Sequence, residues 1–270
     1  MDTIFSKSNE KVKFIKSLNE KKFRQKNNAF YIEGIKVVDE ILSNRKAIDI
    51  LFIAISKSLL ISCNGGKEIL SKLESLENEL TIIDIDEKIF IDLTDTVNPQ
   101  GILIVVKNTE ESYESIQFNN KNILLLDGVQ DPGNLGTIIR TCNAFDVDTI
   151  LYTKGTGDIY SPKVIRATMG AIFNINAYAI DDIENSIEFF KKNEYSIVTT
   201  SLNTDKKITD ISFNKKYIFV MGNEANGVSA KLEKLSDILV KIPMTEKAES
   251  LNVGIATGII LYEQYKNKNI

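Results

Sequence analysis

Residues 122–141 read NILLLDGVQDPGNLGTIIRT. A near-continuous apolar run comes first, a loop with glycines and Asn134 follows, and the stretch ends in a segment with helical spacing. Strands whose two sheet faces are both covered by helices read as continuous apolar runs. The stretch therefore predicts a strand–loop–helix unit of a parallel α/β sheet, with its loop at the carboxyl end of the strand, where such sheets bind ligands.

The same alternation continues toward the end of the printed sequence. Strand-like and helix-like segments follow in the order TILYT, PKVIRATMGAI, INAYAI, IENSIEFFKKN, YSIVTTSL, YIFVMG, SAKLEKL, ILVKIP and a last helix from about Ser250. Only YSIVTTSL and YIFVMG are consecutive strands. This order predicts an α/β domain with a mostly parallel sheet.

A separate alternating series lies between Ala29 and Val106. The next stretch, KNTEESYESIQFNNK at 107–121, is polar and lacks a sustained apolar period, so we interpret it as a linker. A length of 270 residues fits about two domains. We predict α/β domains at 1–106 and 122–270, joined by the linker 107–121.

Composition excludes several classes of site. The sequence contains no histidine, which removes His-based nucleophile activation and His-ligated metals. Cys63 and Cys142 form no C-x-x-C motif, so a reducing compartment fits better than a disulfide scaffold. The N-terminal stretch lacks the apolar run of a secretory signal, and Val253–Tyr262 is too short to span a bilayer. We expect a cytoplasmic protein with no metal site and no membrane segment.

Charge is concentrated near the start. Residues 1–26 carry eight Lys/Arg and three Asp/Glu, whereas the whole chain has a net charge of −4. On one helix, Lys13, Lys16 and Arg24 fall opposite an apolar stripe. The pattern indicates either a surface that faces phosphates or the solvated face of an ordinary amphipathic helix.

Three loops after strands of the second domain, 126–141, 220–232 and 242–263, are the candidate site. Each has an ordinary local explanation: a turn and helix start at 131–134, a helix-dipole complement at Glu224, and a helix cap at Ser250. Arg140, however, lies on an otherwise apolar helix and requires an anionic partner. Capping also gives no reason for an asparagine at 252.

The glycine and serine residues of these loops lead to further predictions. Gly222 and Gly227 permit close backbone approach to a ligand, and Ser229 is a potential cap of the next helix. Gly254 and Gly258 permit close helix–helix approach, either beneath the sheet or at a subunit contact, and the spacing does not choose between these.

Taken together and in this order, the loops resemble the three motifs of the SpoU (TrmH) class of SPOUT RNA methyltransferases. The first motif corresponds to Asn134 and Arg140, and the second to Gly222, Glu224, Gly227 and Ser229. The third corresponds to IPM at 242–244 and ESLNV at 249–253. The basic segment followed by FYIEGIKVVDEIL resembles an L30e-like RNA-binding domain. Two positions depart from the pattern: Glu246 stands where Gly is usual, and Gly254 where Ser or Ala is common.

The resemblance implies a fold, a partner and a reaction. It implies a C-terminal trefoil knot, a homodimer with a site built from both subunits, and methyl transfer from S-adenosylmethionine to a ribose 2′-hydroxyl, with 23S ribosomal RNA favoured as substrate. A knot runs against the usual rules of chain topology, so it rests on the resemblance alone.

The resemblance also implies site residues. The implied cofactor-binding positions are Gly222, Ile242, Leu251, Met221 and Met244, and the RNA-binding ones are Lys13, Lys16 and Arg24. Because a guanidinium stays charged in proteins, we expect Arg140 to bind the adjacent RNA phosphate and to stabilise the developing alkoxide. The ribose, the phosphate and Arg140 would be positioned by Asn134, Glu224, Ser250 and Asn252.

Other functions remain open at this stage. Transfer RNA is the alternative substrate within the same class, and a catalytically silent RNA-binding or ribosome-assembly protein would keep the same fold. Binding of S-adenosylmethionine separates the silent protein from the enzyme. A dinucleotide-dependent dehydrogenase is disfavoured because the chain lacks a G-x-G-x-x-G motif.

Overall fold

The structure is a computed structural model that describes residues 3–43, 48–108, 111–118 and 121–269. Contacts divide the chain into two compact units. The first comprises Met1–Glu110 with Tyr160–Gly170, and the second comprises Glu111–Ile159 with Ala171–Ile270. The segment 160–170 thus groups with the first unit, although it follows the predicted linker by almost forty residues in the sequence.

The first unit is an α/β layer structure around a mixed sheet. Its elements before residue 110 are β1 (Thr3–Ile4), α1 (Glu10–Ser17), α2 (Lys21–Asn27), β2 (Ala29–Glu33), α3 (Ile35–Ser43), β3 (Ile50–Ile55), α4 (Lys57–Ser62), α5 (Gly66–Glu74), β4 (Ile82–Ile85), α6 (Glu87–Leu93) and β5 (Ile102–Lys107). The strand order is β1-β4-β3-β5-β2. Strands β1, β4 and β3 pair in parallel, and β5 pairs antiparallel with β3 and β2.

The remaining elements begin after residue 122. They are β6 (Ile123–Asp127), α7 (Pro132–Ala144), β7 (Thr149–Thr153), α8 (Pro162–Thr168), β8 (Asn176–Ile180), α9 (Ile183–Lys192), β9 (Tyr195–Thr200), β10 (Lys216–Gly222), α10 (Ala230–Leu235), β11 (Ile238–Val240) and α11 (Val253–Asn269). Of these, only α8 groups with the first unit, where it packs on β2.

The second unit contains a six-stranded sheet in the order β11-β9-β10-β6-β7-β8. Every pair in it is parallel. The four residues Ile123–Leu126 of β6 are at most 2% exposed, as expected for a strand covered on both faces. The predicted α/β class with a mostly parallel sheet is confirmed.

The basic N-terminal segment is not one helix. It breaks after Ser17 and resumes at Lys21, as α1 and α2. Arg24 is only 7% exposed, and its guanidinium Nη1 donates to the carbonyl oxygen of Leu18 at 2.5 Å. The prediction that Arg24 shares an outward face with Lys13 and Lys16 is therefore wrong, because the break rotates α2 away from the frame of α1.

The polar stretch 107–121 is more than a connection. Lys107 is the last residue of β5, and a 3-10 turn spans Tyr113–Ser115. Tyr113, Ile116 and Phe118 pack against the apolar core of the second unit. The ring of Phe118 lies 5.6 Å from that of Tyr195 between centroids. Spacings of three and two residues match neither a helix nor a strand, which is why the sequence pattern did not reveal this packing.

Candidate active site

The three candidate loops follow β6, β10 and β11 and lie at the carboxyl edge of the parallel sheet. Because β6 and β10 are neighbours in the sheet, their loops meet directly. The hydrogen bonds between them centre on Glu224, in the loop after β10.

The Glu224 carboxylate joins the first two loops. Its Oε1 accepts from the backbone N–H of Asp131 at 3.2 Å and from Nδ2 of Asn134 at 3.0 Å, and its Oε2 accepts from the backbone N–H of Gln130 at 3.3 Å. Burial opposes ionisation, but the hydrogen bonds from Asn134 and from backbone N–H groups outweigh it, so the pKa of Glu224 lies below its usual value. Glu224 therefore holds the first loop against the second as an anion.

Asn134 extends the connection to the third loop. Its Oδ1 accepts from Nδ2 of Asn252 at 2.8 Å. The Oδ1 of Asn252 in turn accepts from the backbone N–H groups of Gly254 at 2.9 Å and Ile255 at 3.3 Å, the first turn of α11. A continuous hydrogen-bonded chain thus runs from the start of α11 through Asn252 and Asn134 to Glu224.

The cap of the last helix is Asn252 and not Ser250. The prediction that Ser250 caps this helix is wrong, because α11 starts at Val253 and the Asn252 side chain satisfies its first N–H groups. Ser250 is exposed, and its hydroxyl makes no hydrogen bond within the part of the chain that the structure describes. An asparagine at 252 is thereby explained by capping together with its bond to Asn134.

The structure does not bring Arg140 to this chain of hydrogen bonds. Arg140 lies on α7, six residues after Asn134, which is about 9 Å along the helix axis. Its side chain is exposed and makes no hydrogen bond or ion pair with any described residue. The anionic partner that the sequence led us to expect is therefore not found among those residues.

Glycine 222 is required by the second loop itself. A Cβ there would lie 2.1 Å from the carbonyl carbon of Gly227 and 2.2 Å from the nitrogen of Val228. The loop closes by two backbone hydrogen bonds of 2.9 Å between Asn223 and Gly227, and Gly227 has a φ of +69°. The loop's own backbone therefore requires glycine at 222, and the predicted ligand contact of its peptide group stays a prediction.

Ser229 occupies the cap position of α10 without capping it. Its side chain makes no cap hydrogen bond, so the predicted role is wrong. Its backbone N–H donates instead to Oδ2 of Asp127, the last residue of β6, at 2.8 Å. Sequence reasoning missed this carboxylate, and the one available signal was an acidic residue at the end of an apolar strand.

Sequence reasoning also missed Asn223. Its Nδ2 donates to the carbonyl oxygen of Gly128 at 2.8 Å, and its Oδ1 accepts from the backbone N–H groups of Ala225 and Asn226. Asn223 thus shapes the second loop from within and ties it to the first. A side chain that closes a local turn is typical of asparagine, but the sequence does not reveal the bond to Gly128.

The third loop offers a surface for a flat ligand. Ile242, Met244 and Leu251 are part-exposed, whereas Met221 at the end of β10 is 2% exposed. Among the residues described, the peptide groups of Ile242, Met244 and Leu251 make no backbone hydrogen bond. Apolar side chains beside free peptide donors and acceptors are what an adenine ring requires. The chemistry of Ile242, Met244 and Leu251 is therefore compatible with the adenosyl group of S-adenosylmethionine.

Helix α11 packs on α7 through its glycines. A Cβ on Gly254 would lie 3.1 Å from Cγ2 of Thr137, and one on Gly258 would lie 3.9 Å from Cγ2 of Thr141. The glycine pair therefore serves a contact within the chain. The neighbouring face of α11 is apolar and exposed, with Ile255 at 56%, Ile259 at 37% and Tyr262 at 52%.

Two features are absent from the residues that the structure describes. No helix among them is both long and apolar enough to cross a membrane. They also contain no group of three or more Cys, Asp or Glu side chains suited to a metal ion.

Comparisons with known proteins agree with the motifs. The sequence model of the SpoU rRNA Methylase family matches residues 121–262, and that of an MRM3-like substrate binding domain matches residues 9–104. The 23S rRNA (guanosine(2553)-2'-O)-methyltransferase RlmP of Bacillus subtilis is 32% identical over 267 residues, which cover 97% of this chain and 98% of the relative.

Solved structures match over nearly the whole chain. The crystal structure of an AdoMet-bound rRNA methyltransferase from Sinorhizobium meliloti is 29% identical, covers 98% of this chain and 97% of its own, and has a TM-score of 0.85. The SpoU methyltransferase AviRb from Streptomyces viridochromogenes shares the fold at 21% identity, with coverages of 96% and 99% and a TM-score of 0.81.

Proposed function

The chain belongs to the SpoU rRNA methylase family, and from this premise we propose that it methylates a ribose 2′-hydroxyl of 23S ribosomal RNA. It is an S-adenosylmethionine-dependent RNA methyltransferase. The observation that carries the proposal is the hydrogen-bonded chain through Glu224, Asn134 and Asn252. It joins one residue of each of the three motifs at a single edge of the sheet.

The cofactor supplies a methyl group that its sulfonium already activates. The protein therefore has to bind it, exclude water and orient the attacking hydroxyl in line with the methyl. We assign the binding to the peptide groups of Gly222, Ile242 and Leu251, with the side chains of Met221 and Met244 beside them. The chain through Glu224, Asn134 and Asn252 holds the three loops in one arrangement while the reaction occurs.

Arg140 acts on the RNA. A guanidinium stays protonated in proteins, so its role is to bind the phosphate next to the target ribose and to stabilise the alkoxide that develops on the 2′-oxygen. Its exposure and lack of a partner among the described residues support this role. The exposed hydroxyl of Ser250 is free to contact the ribose.

The active site combines two subunits in this proposal. Arg140 lies about 9 Å along α7 from Asn134 and does not join the Glu224–Asn134–Asn252 chain of its own subunit. The exposed apolar face of α11 supports a homodimer. Arg140 of one subunit would then meet the Glu224–Asn134–Asn252 chain of its partner.

Subunit complementation tests this arrangement. We expect Arg140→Ala and Asn134→Ala dimers each to lose most of their activity, because each lacks one half of every site. Mixed dimers regain one intact site, so random mixing restores about a quarter of the wild-type rate. If each site lies within one subunit, mixing restores nothing. An Arg140→Ala enzyme with near-normal turnover and RNA affinity would refute the role of Arg140.

Mapping ribose methylation across total RNA, with and without the gene, tests the substrate. Loss of one methylated position in 23S ribosomal RNA supports the proposal. Loss at a transfer RNA position alone would reassign the substrate, and loss at no RNA position would contradict the proposed activity.

RNA binding by residues 1–106 rests on the exposed basic residues of α1. Lys13 and Lys16 are exposed, whereas the buried Arg24 is no longer part of this proposal. The double change Lys13→Glu and Lys16→Glu is expected to weaken RNA binding. It should also reduce the slope of log K against log salt concentration by about one for each phosphate that the variant no longer neutralises. Lys67→Glu, an exposed lysine of α5, is the matched control. Equal salt slopes for all three proteins would contradict the assignment.

Two further features belong to the proposal. The C-terminal part of the second unit forms a deep trefoil knot, as the resemblance implies. The protein works in the cytoplasm, where ribosomal RNA is accessible.

A further inference from the structure

Asp127 is a buried carboxylate beneath the site, and the proposed function gives it no role. It is the last residue of β6 and is 9% exposed. Its Oδ1 accepts from the hydroxyl of Thr153, the last residue of β7, at 2.9 Å. Its Oδ2 accepts from the backbone N–H of Ser229 at 2.8 Å. One side chain thus fixes the ends of β6 and β7 to the start of α10.

The loop after β7 makes further contacts with the same place. The hydroxyl of Thr156 donates to the carbonyl oxygen of Leu126 at 3.2 Å and accepts from the backbone N–H of Gly128 at 3.1 Å. The N–H of Gly157 donates to the carbonyl oxygen of Val129 at 2.8 Å. A Cβ on Gly157 would lie 2.8 Å from the carbonyl oxygen of Gln130. The segment 153–157 therefore supports the first site loop along its length.

This support acts on the donors that hold Glu224. The backbone N–H groups of Gln130 and Asp131 contact its carboxylate at 3.3 Å and 3.2 Å. They follow directly after Val129, whose carbonyl oxygen accepts from the N–H of Gly157. A shift of the first loop would therefore move it relative to the loop after β10, where Gly222 lies.

We propose that Asp127 and the segment 153–157 are positioning elements for the cofactor: through the first site loop and its bonds to Glu224, they set the position of the end of β10, where the proposed function places Gly222 at S-adenosylmethionine. Asp127 lies in the first candidate loop but is not one of its motif residues, Asn134 and Arg140, and the segment 153–157 lies outside all three loops. The inference rests on the proposed function, because it takes Gly222 at the end of β10 as part of the cofactor site.

The test removes one hydroxyl and measures cofactor affinity on the full chain. Thr153→Val keeps the shape of the side chain and deletes its bond to Asp127, leaving a buried acceptor without its donor. We expect the Kd for S-adenosylmethionine, measured by calorimetry, to rise about tenfold. Thr153→Ser keeps the hydroxyl and should restore affinity to within about twofold. In turnover, the loss should appear in KM for the cofactor more than in kcat.

A matched control lies on the same strand. Thr149, 8% exposed, begins β7, and its hydroxyl donates to Oδ1 of Asp148 at 3.0 Å, at the edge of the sheet away from the site. Thr149→Val should lower the melting temperature as Thr153→Val does, without changing cofactor affinity. If both valine variants weaken binding equally, or neither does, Thr153 has only a structural role and the inference is overturned. If the wild-type chain binds no S-adenosylmethionine, the proposed function itself fails.

Discussion

At the scale of single residues, Glu224 is defined by its acceptor bonds. Both carboxylate oxygens receive hydrogen bonds from the first loop, and Nδ2 of Asn223 lies 3.5 Å from Oε2. A carboxylate so engaged orients the loops around it and has little capacity left for a substrate hydroxyl. Glu224 is therefore a positioning residue that needs its charge.

The substitution Glu224→Gln tests whether residue 224 must carry a negative charge. An amide presents donors where the carboxylate accepts, so at least one N–H of the first loop loses its partner. We expect kcat/KM to fall about tenfold. The control is Glu188→Gln on α9, where an exposed carboxylate pairs with Lys192. Unchanged kcat/KM in Glu224→Gln would contradict the positioning role.

We also expect the free energy of unfolding of wild type and of Glu224→Gln to depend differently on pH. Because the folded-state pKa of Glu224 lies below the usual value of 4.5, its ionised form stabilises the fold above that pH, and the contribution is lost as pH falls through the lower folded-state pKa. The difference in unfolding free energy between wild type and Glu224→Gln should thus be largest near neutrality and shrink below pH 4.5. Urea denaturation across pH measures it, and a difference that grows on acidification would refute the assignment.

Residue roles were only partly predictable from the sequence. The identities of Asn134, Glu224 and Asn252 as site residues came from motif spacing, but the bonds that unite them span 90 and 118 residues. Local rules also suggested Ser250 and Ser229 as caps, whereas tertiary partners decided both positions. Capping preference is shared by Ser and Asn, so it cannot choose between neighbours.

At the scale of elements, the sheet was the most predictable part and the first helix among the least. Continuous apolar runs identify buried parallel strands because few other elements produce them. The break between α1 and α2 falls at Leu18–Glu20, a stretch without Pro or Gly, so the sequence carries no breaking signal there. The burial of Arg24 follows from that break.

The packing of α11 on α7 predicts different responses to alanine at its two glycines. A Cβ on residue 258 would lie at an ordinary contact distance from Thr141. Gly258→Ala should therefore raise the free energy of unfolding by about 0.5–1 kcal/mol, because alanine has the higher helix propensity. Gly254→Ala brings a Cβ to 3.1 Å from Thr137 and 3.2 Å from Asn252 Oδ1, so crowding should cancel that gain. Chemical denaturation compares the two. A larger gain at 254 than at 258 would contradict this packing.

At the scale of the whole molecule, the exposed apolar face of α11 predicts a dimer. Ile255, Ile259 and Tyr262 recur at helical spacing on one face. Ile255→Glu with Ile259→Glu should yield a monomer in sedimentation experiments, because buried, unpaired carboxylates disfavour association. Ile91→Glu, at a 42% exposed isoleucine of the first unit, should leave the oligomeric state unchanged. A double variant that stays dimeric would place the subunit contact elsewhere.

Composition alone does not predict to which unit each segment of the chain belongs. The polar stretch predicted a linker at 107–121, whereas the units defined by contacts also assign 160–170 to the first unit. The grouping of 160–170 with the first unit depends on contacts such as that between the rings of Phe30 and Tyr160, whose centroids are 5.0 Å apart. Nothing in the alternating pattern distinguishes α8 from its neighbours.

The bond between Asn134 and Asn252 has a consequence for biosynthesis. These residues lie 118 positions apart, so a nascent chain carries its first loop long before the asparagine that completes it leaves the ribosome. Strands β6 to β10 can pair during that interval, but the hydrogen bonds that connect α11 through Asn252 and Asn134 to Glu224 cannot yet form. An unfinished copy would therefore have most of its sheet and no assembled site.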